Sequence, residues 1–149
     1  MGFYEAKEDI LIFGKQIQTT NEDMRALDDI KNIWDSLSKN NFLEGLQVKE
    51  QDTLVAVYKD YEDKERGKYN YILGAPVIDE GQGCPSHMVE VTLPTGRYYA
   101  YSVPSQEPKD ILEAWKHIWT LDNDLFKRAF NIDYEWYQDS KMTIYLSIL

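Results

Sequence analysis

The amino-acid sequence predicts an α+β fold. Two strand–helix–strand–strand modules, related by a pseudo-twofold axis, join their strands in one mostly antiparallel sheet. Both helices lie on one face, with a ligand cleft between the halves. Three observations lead there. Apolar residues at three-and-four spacing mark two well-separated helices. Each helix is preceded by one strand-like run and followed by two more, joined by a short polar turn. Short echoes then recur in the same order in the two halves, residues 10–78 and 97–149. No low-complexity linker divides the 149 residues, so one domain over 1–149 is expected.

The elements follow in order. A β-branched strand is expected over Ile10 to Ile17, ending near the turn-prone Thr20-Asn21. A helix over Asp23 to Lys39 carries Met24, Leu27, Ile30, Ile33, Trp34 and Leu37 on one face, and Asn40-Asn41 stops it. Strands Thr53 to Glu62 and Tyr69 to Ile78 form a hairpin through the charged turn Asp63 to Lys68. Asp79 to Ser86 is a Gly/Pro loop, followed by strands Met88 to Leu93 and Arg97 to Val103 about the Pro94-Thr95-Gly96 turn. Pro108 suits a helix start. The second helix, Lys109 to Leu121, carries Ile111, Leu112, Trp115, Ile118 and Trp119 on one face. A short helical turn over Leu125 to Phe130 precedes strands Asn131 to Gln138 and Met142 to Leu149. The echoes are Gly14 with Gly96, Ile33-Trp34 with Ile118-Trp119, and Asp60-Tyr61-Glu62 with Asp133-Tyr134-Glu135.

Strand alternation assigns faces. Ile144, Leu146 and Ile148 form an apolar row expected under the helices, which turns Thr143, Tyr145 and Ser147 the other way. Burying Tyr134 and Trp136 with that row would leave Glu135 and Tyr137 on the open face beside Tyr145. Val55, Val57 and Tyr61 would go inward, with Tyr58, Asp60, Glu62 and Tyr71 outward. Tyr99 and Tyr101 share one face of their strand. The expected result is a carboxylate, Glu135, among aromatic rings. Such a place suits a flat cation, since each ring adds roughly 0.5–2 kcal/mol of cation–π attraction. The plainer alternative makes Glu135 a solvated strand residue among ordinary cross-strand pairs. Trp34, Trp115 and Trp119 sit at core spacing, although Trp115 or Trp119 could look into the cleft from below.

Composition narrows the function classes. A formal net charge of −10 disfavours nucleic acid and anionic membranes as partners. One cysteine, Cys84, fits a reducing compartment, and the N-terminal residues lack the apolar run of a signal peptide, so a cytoplasmic location is expected. Two histidines, His87 and His117, without metal-ligand spacing imply no metal and no cofactor. No serine lies in a nucleophile elbow. Gly81-Gln82-Gly83 is too short for a phosphate loop.

The ordered segments GKQIQTTN, IKNIW, VYKDYE, YNYILG, LPTGRYYAY, EAWKHIW and DYEWY resemble the GyrI-like small-molecule-binding domains. That family includes the effector-binding domains of AraC-type and MerR-type multidrug regulators. The resemblance spans Ile10 to Leu149. It implies the paired-module fold and binding of hydrophobic, often cationic drugs between the halves. It also implies an acidic anchor in the pattern Asp-(Phe/Tyr)-Glu-x-Tyr, which falls on Glu135 with Tyr137 closing the motif. Tyr58, Tyr71, Tyr99, Tyr101, Tyr145 and Trp115 complete the candidate lining. Some stand-alone members are similar to hydrolases that open cyclopropanoid natural products, which would make Glu135 a general base; others bind DNA gyrase, so a protein partner is a third reading. The few residues before Ile10 leave no room for a helix-turn-helix, and a stand-alone effector-type domain is expected.

Overall fold

Strand-forming β-branched and aromatic runs alternate with the two amphipathic segments, and the computed structural model, which describes residues 2–78, 81–121 and 126–149, folds accordingly. The order is β1 (Gly2–Ala6), β2 (Ile10–Thr20), α1 (Arg25–Asn40), β3 (Leu54–Lys59), β4 (Lys68–Pro76), β5 (Val89–Leu93), β6 (Gly96–Val103), α2 (Pro108–Thr120), β7 (Asp133–Gln138) and β8 (Lys141–Ser147). Helix α1 stops where Asn41 turns left-handed (φ 40°) and returns its N–H to Leu37 O at 2.9 Å. Pro108 occupies the first turn of α2, where a missing N–H costs nothing. Asp139 and Ser140, both at positive φ, make the tight β7–β8 turn.

The strands form one eight-stranded sheet in the order β1-β6-β8-β7-β3-β4-β2-β5, with antiparallel neighbours throughout. The order reads the same from both ends. Module β6-β8-β7 meets module β3-β4-β2 at the β7·β3 junction, and β1 and β5 flank the two. The sheet is strongly curled. Strands β1 and β2 stand six places apart, about 29 Å in a flat sheet. Yet the link from Ala6 to Ile10 spans at most about 14 Å. The same constraint joins β5 to β6. One face therefore closes on itself around Val55, Val57, Ile72, Leu93, Tyr98 and Tyr134. Both helices pack on the other face, over Ala56, Tyr71, Leu73, Ile144 and Leu146.

This double burial corrects the face assignment. Tyr134 and Trp136 lie away from the helices, with Val55 and Val57, while Tyr58, Tyr71, Glu135 and Tyr137 lie beneath them. The register shows why: Glu135 opposes Ile144 and Tyr134 opposes Tyr145, and opposed residues share a face. Two elements also differ from expectation. Gly2–Ala6 forms a strand on β6, too short a run to show a period-two pattern in the sequence. Residues 126–130 are not helical: Arg128 is bridged to Ile148 and Phe130 turns left-handed (φ 54°); Leu125 lies outside the described residues. Among the described residues no helix is long and apolar enough to cross a membrane.

Candidate functional site

The centre of the β3·β7 junction is the pair Ala56 and Glu135, the middle of five registered pairs. A twofold axis through that pair exchanges residues equally displaced along the two strands, so Tyr58 and Tyr137 are equivalent. The helices obey the same operation. Trp34 of α1 packs on Tyr137 with ring centres 5.0 Å apart, and Trp115 of α2 packs on Tyr58 at 5.1 Å. Trp115, not Trp119, is thus the counterpart of Trp34. Glu135 sits on the axis itself. Its counterpart is Ala56, whose small side chain leaves the central space to one carboxylate.

Glu135 is 2% exposed. Its Oε2 accepts hydrogen bonds from Trp115 Nε1 at 2.7 Å and Tyr58 OH at 2.9 Å, and its Oε1 accepts one from Tyr137 OH at 2.6 Å. Burial raises the Glu135 pKa above the ordinary carboxyl range, and the three donors pull it partly back. Tyr58, Tyr71 and Tyr137 are raised well above the usual phenol value by burial first and by the Glu135 charge second, so all three keep their protons. Tyr71 accepts from Trp34 Nε1 at 2.9 Å and meets Tyr58 edge-on at 5.1 Å. Chemically, the cluster is a buried carboxylate ringed by neutral donors and aromatic faces.

Of the residues chosen from sequence, Glu135, Tyr137, Tyr58, Tyr71 and Trp115 come together. Tyr145 does not; it stacks on Tyr134 at 4.8 Å on the opposite face. Tyr99 and Tyr101 share the helix-facing cluster but are engaged elsewhere, Tyr99 stacked on Phe126 at 4.5 Å and Tyr101 bonded to His117 at 2.6 Å. The expected open cleft is absent at Glu135, since α2 and its Trp115 cover the carboxylate. Neither of two surface cavities, of about 390 and 310 Å³, is lined by it.

Sequence reasoning missed two contributors. Trp34 was assigned to the core, and only the twofold relation shows that it matches Trp115. Asp133, fully buried, accepts from Tyr61 OH and Arg128 Nη2, each at 2.6 Å, and from Ser147 N at 2.7 Å. Its signal was its place two residues before Glu135, on the same side of β7. This network ties the start of β7 to the end of β8 and to the segment carrying Arg128.

Two paired modules in one curled, antiparallel sheet with a helix from each on one face give a GyrI-like type of fold. The chain belongs to the Cass2 family, described as integron-associated effector binding protein, whose model matches residues 5–148. The YobU protein of Bacillus subtilis (strain 168) is 29% identical over 125 residues, covering 78% of this chain and 77% of its own. An integron cassette protein from the mobile metagenome of Vibrio cholerae superposes with a TM-score of 0.79 at 20% identity, covering 100% of this chain and 97% of its own. SAV2435, solved bound to tetraphenylphosphonium, superposes with a TM-score of 0.76 at 13% identity, covering 99% of this chain and 92% of its own.

Proposed function

We propose that this protein binds hydrophobic, aromatic cations on its pseudo-twofold axis, with Glu135 as the counter-ion. It would act as a cytoplasmic sensing or sequestering protein for such xenobiotics. One observation carries the reading: Glu135 is a buried carboxylate whose three hydrogen bonds all come from neutral groups, and no cationic side chain among the described residues pairs with it. A buried charge without a counter-ion is costly, so an incoming cation would find an unmet electrostatic demand. The rings of Tyr58, Tyr71, Tyr137 and Trp34 supply the faces on which a flat or propeller-shaped cation packs. Binding requires Trp115 to leave Glu135 Oε2, because its indole and α2 cover the carboxylate. The fold likeness to SAV2435, a protein bound to a bulky aromatic cation, supports this ligand class.

Calorimetric titration with tetraphenylphosphonium and rhodamine 6G tests the reading. Glu135→Gln keeps the shape and removes the charge, and should weaken both ligands by about tenfold or more. Equal affinity in wild type and variant would remove Glu135 from the site. A hydrolytic role for Glu135 is less well supported, because both carboxylate oxygens already accept hydrogen bonds from protein donors, which leaves neither free for a water. Mass spectrometry of a cyclopropanoid ligand after incubation separates the two readings: unaltered ligand favours binding, and a water adduct formed over many turnovers favours catalysis.

A further inference from the structure

The larger cavity, about 390 Å³, lies between the C-terminal end of α2, the β3–β4 turn and residues 126–130. None of the residues around Glu135 lines it. Three rings do: Trp119, itself 44% exposed, Phe126 and Phe130. Among the described residues the charged lining is mainly cationic, in contrast to the net charge of −10 for the whole chain. Lys64 and Lys127 stand exposed at its rim and Arg128 forms part of its wall; Glu65 is the one acidic side chain among the described residues that line it.

Arg128 is held in place as part of the cavity wall. Its side chain is 13% exposed, its guanidinium lies over the Phe130 ring at 4.1 Å, and Nη2 bonds Asp133 Oδ2 at 2.6 Å. Nε is buried without a partner. Asp133 cannot take it with its second oxygen, because Oδ1 is occupied by Ser147 N at 2.7 Å and Ser147 Oγ at 3.0 Å. A preorganised guanidinium beside apolar rings recognises a planar anion: the carboxylate or sulfonate meets the positive edge while the ring system stacks. The volume suits one or two fused rings.

We infer that this cavity is a second small-molecule site, for a planar aromatic carboxylate or sulfonate, separate from the Glu135 cluster. Trp115 is the partition between the two. Its Nε1 faces Glu135, and the Arg128 guanidinium lies 6.0 Å from its ring.

Calorimetry with 2-naphthoate, neutral 2-naphthylmethanol and cationic 2-naphthylmethylammonium tests the inference on the full chain. The anion should bind about tenfold or more tightly than either isostere, and added salt should weaken it. Trp119→Ala, which removes an exposed ring, and the rim charge reversal Lys64→Glu with Lys127→Glu should each weaken 2-naphthoate by about tenfold. These changes leave the buried Arg128–Asp133 pair intact, so an unchanged unfolding midpoint shows that binding, not folding, was lost. Glu135→Gln should leave 2-naphthoate affinity unaltered. Preference for the cation, undiminished binding in the Trp119 or rim variants, or loss of 2-naphthoate binding in Glu135→Gln would each overturn the assignment.

Discussion

At the scale of single residues, Glu135 concentrates the chemistry, and its burial has a measurable signature. Burial lifts its pKa above the ordinary value of 4.5, so the folded protein holds the Glu135 proton more tightly than the unfolded chain does. The sign follows from linkage: wherever the folded state binds more protons, stability falls as pH rises. The Glu135 contribution is therefore greatest at or below pH 4.5, declines through the raised pKa, and is constant above it. Glu135→Gln has no proton to lose. Urea midpoints measured stepwise upward from about pH 4.5 should show wild-type stability falling relative to the variant as pH rises. Curves that run parallel would mean that the three donors cancel burial, and a gap of the opposite sign that they outweigh it. The sequence located this residue through the Asp133-Tyr134-Glu135-Trp136-Tyr137 pattern, but it placed the side chain on the wrong face. Period-two alternation separates the residues into two sets without saying which set the helices cover. Here both sets are largely buried, so hydrophobicity could not decide.

At the scale of elements, pairing register carries information that periodicity does not. The two helices, the two hairpins and the strands from β2 onward were legible, because three-and-four spacing and turn chemistry are local signals. The internal repeat was legible in kind but misaligned. Asp60-Tyr61-Glu62 lies past the end of β3, whereas Asp133-Tyr134-Glu135 opens β7; the structural counterpart of Glu135 is Ala56. Gly14 and Gly96 are likewise unrelated. Gly96 opens β6 at φ +141°, while Gly14 sits mid-strand opposite Gly74, where β2 and β4 approach closely. A Cβ added at Gly74 would stand 2.1 Å from Phe13 O and 2.8 Å from Gly14 Cα, both backbone atoms that cannot swing aside. Gly74→Ala should therefore cost about 2 kcal/mol or more in urea unfolding. Gly83→Ala, where an added Cβ meets nothing within 4 Å, should stay within about 0.5 kcal/mol of wild type. Equal losses in the two variants would mean that the β2–β4 approach does not require glycine.

At the scale of the whole molecule, the pseudo-twofold axis places one carboxylate between two nearly equivalent aromatic halves, and one of them closes over it. Trp34 and Trp115 are related by the axis but do different work. Trp34 donates to Tyr71 OH, whereas Trp115 donates to Glu135 Oε2. The closed arrangement is therefore held in part by a charge-assisted hydrogen bond from an indole that a cationic ligand would have to displace. A ligand that binds only the open form sees its affinity reduced by the fraction of molecules that are open. Trp115→Phe removes the N–H and keeps a ring in nearly the same place. Losing a hydrogen bond to a charged group costs about 1.5–3 kcal/mol, and here that loss falls on the closed form. The variant should thus bind tetraphenylphosphonium more tightly, by about tenfold or more, while its unfolding midpoint drops. Trp34→Phe serves as the symmetry control: it disturbs the equivalent ring without touching Glu135, and should destabilise the fold without tightening the ligand. Weaker binding in Trp115→Phe would make the indole a ligand contact in its own right rather than a latch, and equal tightening in Trp34→Phe would mean that the two halves open together.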